Sequence, residues 1–198
     1  MPVPSFVLAA AVMNAALPHA HVALTFETAS LPAAIVRAAI EEAAAVWSPY
    51  NVVVDQALPC ASAPEEATVI TVAMRASSAV AARDRRGPLG AIDFDDDGTP
   101  DRLVTVYFDL LRRLMTYVRS GPAPEDQWPS AMRDHVLGRG MGRVIAHEIG
   151  HYLLGAHSHR SFGLMRALQH TDELFAVPRA GFRLSDTDVR RLARSSIR

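Results

Sequence analysis

The sequence predicts an α+β domain in which a small mixed β-sheet lies over one long helix. Three observations predict this class: short runs rich in β-branched residues, longer stretches with helical periodicity, and a chain order that places most strands between two helices. The chain has 198 residues, a length that suits one domain. We therefore predict a single domain over residues 21–198.

The first half of the chain supplies the first helix and three strands. Residues 21–27 alternate weakly and predict a strand. Ser30 and Pro32 are typical of a helix start, and the apolar periodicity of that helix continues to Trp47, before Pro49. Residues 51–58 and 67–74 are rich in Val and other β-branched residues and predict two more strands.

The second half predicts a hairpin and two further helices. Residues 91–94 and 103–108 flank an acidic turn, which indicates a hairpin, and Arg112 and Arg113 follow it near an expected helix start. Pro and polar residues over 120–130 predict a loop, and a long helix is expected from about residue 131 or 133 to Leu154. After an irregular segment, Ser185 should cap a last helix over 186–195.

Composition narrows the function classes. The 20 basic and 21 acidic side chains leave a net charge of -1, so no nucleic-acid partner is expected. Cys60 is the only cysteine, which excludes an intramolecular disulfide and an all-Cys zinc site. Residues 1–20 are apolar and resemble a signal-peptide core without its basic flank, and the run is too short to span a bilayer. We expect an extracytoplasmic or secreted protein; the alternative is an N-terminal apolar segment of a cytoplasmic one.

Four of the eight His residues lie within thirteen positions: His147, His151, His157 and His159. His147 and His151 are four residues apart on the predicted long helix, so their imidazoles project from one face about 6 Å apart along the axis. That spacing lets both bind one zinc ion, and Glu148 beside them can act as general base on an activated water. The flanking residues are apolar, and a buried helix with such polar groups needs a partner for them. We predict Zn²⁺.

A third ligand must come from outside the helix. Gly155 can end the helix in the left-handed conformation and reverse the chain, which makes His157 and His159 candidates and Glu173 a more distant one. Three His ligands would leave a fourth position for water, which is the catalytic arrangement. Met165 follows in a Gly-Leu-Met segment, where a turn can form the floor of the site.

The motif resembles that of the zincin metallopeptidases and is similar to the metzincin pattern HExxHxxGxxH with a downstream Met-turn. The matching positions are His147, Glu148, His151, His157 and, at the Met-turn, Met165. Leu154 departs from the pattern because it occupies the Gly site, and Gly155 comes one residue late.

The run HEIGHYLLGAHSHRSFGLMR resembles more closely a set of bacterial proteins that carry HEIGHxLLGxxSHSxxGIMR. In that set the recurring His falls at the place of His159, whereas the metzincin spacing favours His157. We predict His159 as the third ligand, with His157 as the alternative.

The resemblance implies a zinc metallopeptidase that acts on peptides or proteins. Zinc would polarise the scissile carbonyl, Glu148 would move the proton to the leaving amine, and an edge strand would pair with the substrate. The alternatives are another zinc hydrolase, such as an endoribonuclease whose HxxxHxxxxxH pattern His147, His151 and His157 also fit, and a non-enzymatic zinc-binding module. The presence of Glu148 argues against both.

A second cluster of polar residues lies in the acidic turn. Asp93, Asp95 and Asp97 alternate, Gly98 follows and Asp101 closes the run, as in the first half of a calcium-binding loop. Val104 stands where such a loop has its bidentate Glu. We therefore prefer a solvated hairpin tip and keep Ca²⁺ at these four Asp residues as a second hypothesis.

Overall fold

The fold was obtained as a computed structural model, which describes residues 20–27, 31–57, 67–77, 87–118, 124–167 and 170–195. The predictions made for residues 1–19, for Ser30 as a helix cap and for Cys60 fall outside these residues. No helix in the described ranges has the length and apolar character needed to cross a membrane.

A five-stranded mixed sheet forms one layer. Its strands are β1 (Ala20–Glu27), β2 (Val52–Gln56), β3 (Thr68–Arg75), β4 (Gly90–Phe94) and β5 (Pro100–Tyr107). The order is β2-β1-β3-β5-β4, in which the first four run parallel and β4 pairs antiparallel with β5. Parallel neighbours need long crossover connections, whereas the short acidic turn between β4 and β5 permits the antiparallel pair. The predicted hairpin therefore forms the end of the sheet.

One face of the sheet carries the core. Leu24 of β1 lies opposite Ile70 of β3, and Val72 of β3 lies opposite Val104 of β5. All four side chains are fully buried. Because side chains alternate along a strand, the next residues point to the other face, where Val53 and Val69 are exposed. The in-register pairs thus form one apolar surface for the helices.

Two long helices pack on this sheet and on each other: α1 (Ala33–Trp47) and α3 (Ser130–Leu154). Gly138 and Gly142 of α3 are four residues apart and therefore lie on one face. A Cβ atom at Gly138 would lie 2.6 Å from the Cβ atom of Ala38, and one at Gly142 would overlap the backbone oxygen of Ala39. The glycines let the two helices approach closely, which fixes α3 against the core.

The described residues also contain three shorter α-helices: α2 (Phe108–Met115), α4 (Thr171–Phe175) and α5 (Asp186–Ser195). Helix α2 begins directly after β5, four residues before Arg112. Helix α4 lies in the segment that the sequence predicts to be irregular. Helix α5 has the predicted bounds, and the side chain of Ser185 accepts a hydrogen bond from the Asp188 backbone N–H at 3.2 Å. The architecture is a mixed sheet with a long helix, consistent with the predicted α+β class.

Candidate metal centre

Three His side chains meet at one point. The Nε2 atom of His151 lies 3.1 Å from Nε2 of His147 and 3.3 Å from Nε2 of His159. The ligand atoms of the three residues lie within 4.8 Å of one another, and among the described residues this is the one such group of His, Cys, Asp or Glu. Three imidazole nitrogens at these separations could hold a metal ion.

Local backbone structure brings the third His back to the helix. Helix α3 ends at Leu154, and Gly155 has φ 53°, the left-handed conformation that favours glycine. The backbone N–H of Ala156 then donates to the carbonyl oxygen of His151 at 3.3 Å, which closes the end of the helix. The reversal carries the chain past the helix end and places His159 against His147 and His151.

Backbone carbonyls orient two of the three imidazoles. Nδ1 of His147 lies 2.7 Å from the carbonyl oxygen of Leu164, and Nδ1 of His151 lies 2.5 Å from that of Ala156. Because a carbonyl only accepts, each Nδ1 carries the proton and donates, so Nε2 keeps its lone pair. Both lone pairs are thereby available at the point where the three rings meet.

The protein favours the neutral form of these rings. Burial lowers the pKa of His147 to about 4, and the neighbouring His residues act in the same direction. Burial also lowers the pKa of His151 and of His159. Neutral imidazole is the form that binds a metal ion.

A turn around Met165 packs against the helix that carries His147 and His151. Met165 is 2% exposed, and a Cβ atom at Gly150 of α3 would overlap its Sδ atom. The turn is fixed by Gly163, with φ 78°, and by a 2.8 Å hydrogen bond from the Leu164 N–H to the carbonyl oxygen of Arg183. The same Leu164 carbonyl accepts from His147, so the turn both packs under α3 and orients one imidazole.

Glu148 lies beside the His group and against the edge strand. It is 4% exposed, and burial raises the pKa of its carboxyl group to about 8. A Cβ atom at Gly90 of β4 would lie 2.7 Å from Oε1 of Glu148 and 2.6 Å from a methyl group of Val144. Glycine at this position therefore leaves the space in which the carboxyl group sits.

A cavity of about 280 Å³ joins these groups. The three His residues and Glu148 form one side of it, and β4 with the residues just before it forms another, including Leu89 and Ile92. A water-sized or larger reactant in this cavity can contact both the ring nitrogens and the carboxyl group.

His157 and Glu173 do not belong to the His group. The ring of His157 is exposed and lies against Phe94 of β4, with ring centroids 3.4 Å apart and the ring planes tilted by 33°. The carboxylate of Glu173 accepts a 2.5 Å hydrogen bond from Arg166. Of the three sequence candidates for a third ligand, the structure brings His159 to the other two His residues.

The acidic turn uses its central carboxylate to hold the hairpin. Asp95 accepts hydrogen bonds from the backbone N–H of Asp97 at 3.1 Å and of Thr99 at 2.7 Å. Asp101 accepts one from the backbone of Arg102. Asp93, Asp95, Asp97 and Asp101 do not form a close ligand group among the described residues. Calcium binding at this turn stays a prediction.

A buried Arg near the site was missed by sequence reasoning. Arg143 lies one turn before His147, is 1% exposed and pairs with Glu42 of α1 through a 2.8 Å hydrogen bond from Nε. It also donates to the carbonyl oxygens of Leu174 and Pro178. A charged residue within an apolar helical run was the available signal, because such a residue needs a buried partner.

Comparison with protein-family models, curated proteins and solved structures gave no match to this chain.

Proposed function

We propose that the chain is a zinc-dependent metallopeptidase of the zincin type, with a metzincin-like arrangement of His147, His151 and His159. The observation that carries the proposal is the common cavity of the three converging Nε2 atoms and the Glu148 carboxyl group. Three His ligands without a neighbouring carboxyl group would be equally consistent with a structural metal site. A buried carboxyl group beside an open ligand set is what hydrolysis requires in addition.

The donor set fits zinc. Imidazole nitrogen is a preferred zinc ligand, and three protein ligands leave one position of a tetrahedral site open. The carbonyl contacts of His147 and His151 supply the second layer of hydrogen bonds that zinc-bound His residues have elsewhere. When bound, zinc would polarise the peptide carbonyl and activate a water molecule.

Glu148 would carry the proton. In its ionised form, which a cation bound at the neighbouring His residues would favour, the carboxylate would take a proton from the attacking water and deliver it to the nitrogen of the leaving amine. The carboxyl group is buried between α3 and β4 at the cavity wall, where it would contact a water that lies between it and a bound peptide. That position supports a role as general base and then general acid.

Strand β4 would align the substrate. It is the last strand in the sheet order, and residues Gly90, Ala91 and Ile92 line the cavity. An extended peptide could add to this edge through backbone hydrogen bonds, which do not depend on the peptide's side chains. The pairing would hold the scissile bond beside Glu148.

The test is cleavage of a quenched fluorescent peptide library by the full chain loaded with zinc. We expect cleavage by the wild type and at least a ~100-fold lower rate for Glu148→Ala with unchanged zinc content. Glu41→Ala is the matched control, because Glu41 is exposed on α1. Zinc bound at one equivalent without cleavage of any peptide would contradict the proposal and leave the zinc-binding module or another zinc hydrolase.

A further inference from the structure

Two Arg side chains line the cavity that holds the His group and Glu148. They are Arg143 and Arg166, and the described lining residues include no other guanidinium group. Glu148 is the one carboxyl group among those lining residues, and the proposed function assigns it to catalysis. A guanidinium group is therefore the part of this lining that could attract a negatively charged substrate.

Arg143 is held in place. Its side chain is completely buried, it pairs with Glu42, and its Nη1 and Nη2 atoms donate to backbone carbonyls, among them those of Leu174 at 3.2 Å and Pro178 at 3.1 Å. Its guanidinium also lies 4.4 Å from the ring centroid of Phe182. Turning toward a ligand would break all of these contacts.

Arg166 has a partner that can move. It pairs with the carboxylate of Glu173, whose side chain is 47% exposed, while the Arg166 side chain is 17% exposed. Glu173 lies on α4, a helix of five residues. The half-exposed Glu173 carboxylate can return to water when it leaves, so exchange for another carboxylate costs less than leaving Arg166 without a charged partner.

Much of the remaining cavity wall is apolar. Leu89, Leu114 and Val144 contribute aliphatic surface to the cavity. A carboxylate that crosses this surface loses water and then gains a guanidinium in a place of low dielectric, where a charge-assisted pair is strong. A basic side chain would meet a like charge there.

We propose that this cavity takes the acidic side chain, Asp or Glu, of a peptide residue next to the scissile bond, and that its carboxylate displaces Glu173 from Arg166. This inference rests on the proposed peptidase function and adds its substrate class. Glu173 then acts as an internal competitor for the substrate carboxylate.

If Glu173 and the substrate carboxylate compete for Arg166, substitutions of Arg166 and of Glu173 should change the preference for acidic peptides in opposite directions. Removing the charge of Arg166 removes the attraction, whereas removing the charge of Glu173 leaves Arg166 available to the substrate. An ion pair that merely supports the turn would give the same direction of change for both substitutions. Arg166→Gln and Glu173→Gln therefore separate selection from structural support.

The experiment compares matched peptides that carry Glu, Gln, Leu or Arg at either residue flanking the cleaved bond. For the wild type we expect kcat/KM about tenfold higher for Glu than for Gln, mainly through KM. Arg166→Gln should abolish this preference, and Glu173→Gln should raise it severalfold. Arg190→Gln, an exposed change on α5 outside the cavity, should leave it unchanged.

Two results would overturn the inference without touching the peptidase proposal. One is equal cleavage of the Glu and Gln peptides by the wild type. The other is a parallel loss of activity toward all four peptides in Arg166→Gln and Glu173→Gln. No cleavage of any peptide by the zinc-loaded wild type would overturn the proposed function itself, and the inference with it.

Discussion

The Nδ1 atom of His147 lies 2.7 Å from the carbonyl oxygen of Leu164, which joins the long helix to the turn that contains Met165. The same turn is anchored to the segment before α5 by the hydrogen bond from Leu164 N–H to Arg183. The orientation of one imidazole therefore depends on two segments distant in sequence. We therefore expect substitutions in these supporting segments to alter zinc binding or catalysis even though they change no metal ligand.

Gly90 should matter for catalysis more than for zinc binding. A methyl group at this position would lie 2.7 Å from the Glu148 carboxyl group, so Gly90→Ala must displace that group or β4. We expect kcat to fall about 10- to 100-fold, because a shift of about 1 Å in a reacting group has an effect of this size. Steady-state kinetics with zinc analysis checks this. Val53→Ala is the control, because Val53 is exposed on β2 at the other end of the sheet. Loss of zinc in Gly90→Ala would contradict the interpretation.

Replacing only Arg143 in its buried pair with Glu42 should lower the stability of the fold. Arg143→Met leaves the Glu42 carboxylate, 4% exposed, with Arg179 as its charged partner. We expect the free energy of unfolding to fall by about 3–5 kcal/mol, because a buried charge loses its main partner. Urea unfolding measures the change.

The double variant Arg143→Met/Glu42→Gln should recover part of that loss, since the buried carboxylate that lost its buried partner is then replaced by a neutral amide. A double-mutant cycle gives the coupling between the two side chains. Equal losses in the single and double variants would mean that the backbone contacts of Arg143, and not its pairing with Glu42, carry its effect.

The ion pair of Asp188 with Arg160 should make stability depend on pH in the acid range. Burial acts to raise the pKa of Asp188, but hydrogen bonds from Arg160 and Ser185 outweigh it, so the pKa is lowered from 3.8. A carboxyl group with a lowered folded-state pKa stabilises the fold above its unfolded-state pKa. That contribution is lost as pH falls through the folded-state value.

The wild type should therefore be more stable than Asp188→Asn at pH 7, and the difference should shrink as the pH is lowered below about 3.8. Thermal or urea unfolding of both proteins across this range measures it. A difference that stays constant from pH 7 to pH 3 would show that Asp188 does not act through its charge.

Much of the fold could be predicted because its signals are local. The strand runs rich in Val and Ile, and the bounds of α5 with Ser185 before it, follow from period and capping. The sequence does not predict the whole of helix α2, because its eight residues give barely two turns of periodicity. Its buried side chains, such as Leu111 and Leu114, are buried by tertiary packing, which the local pattern does not show.

The candidate site likewise combines features that the local sequence shows with contacts that only the assembled fold creates. The spacing of His147 and His151 on one helix face is a local property, and the sequence shows it directly. The choice between His157 and His159 depends on how the chain leaves Gly155, and the partner of Arg143 lies about a hundred residues away in sequence. Such contacts depend on the assembled fold. The sequence indicates only that a charged residue such as Arg143 lies in an apolar helical run and needs a partner.

Zinc binding by His157 and His159 variants is the sharpest test of which His completes the metal centre. Full-length wild type, His157→Ala and His159→Ala would be loaded with zinc, passed through a weak chelator and analysed for metal content. We expect one equivalent of zinc in the wild type and in His157→Ala, and loss of zinc in His159→Ala. Retention in His159→Ala with loss in His157→Ala would contradict the three-His centre described above.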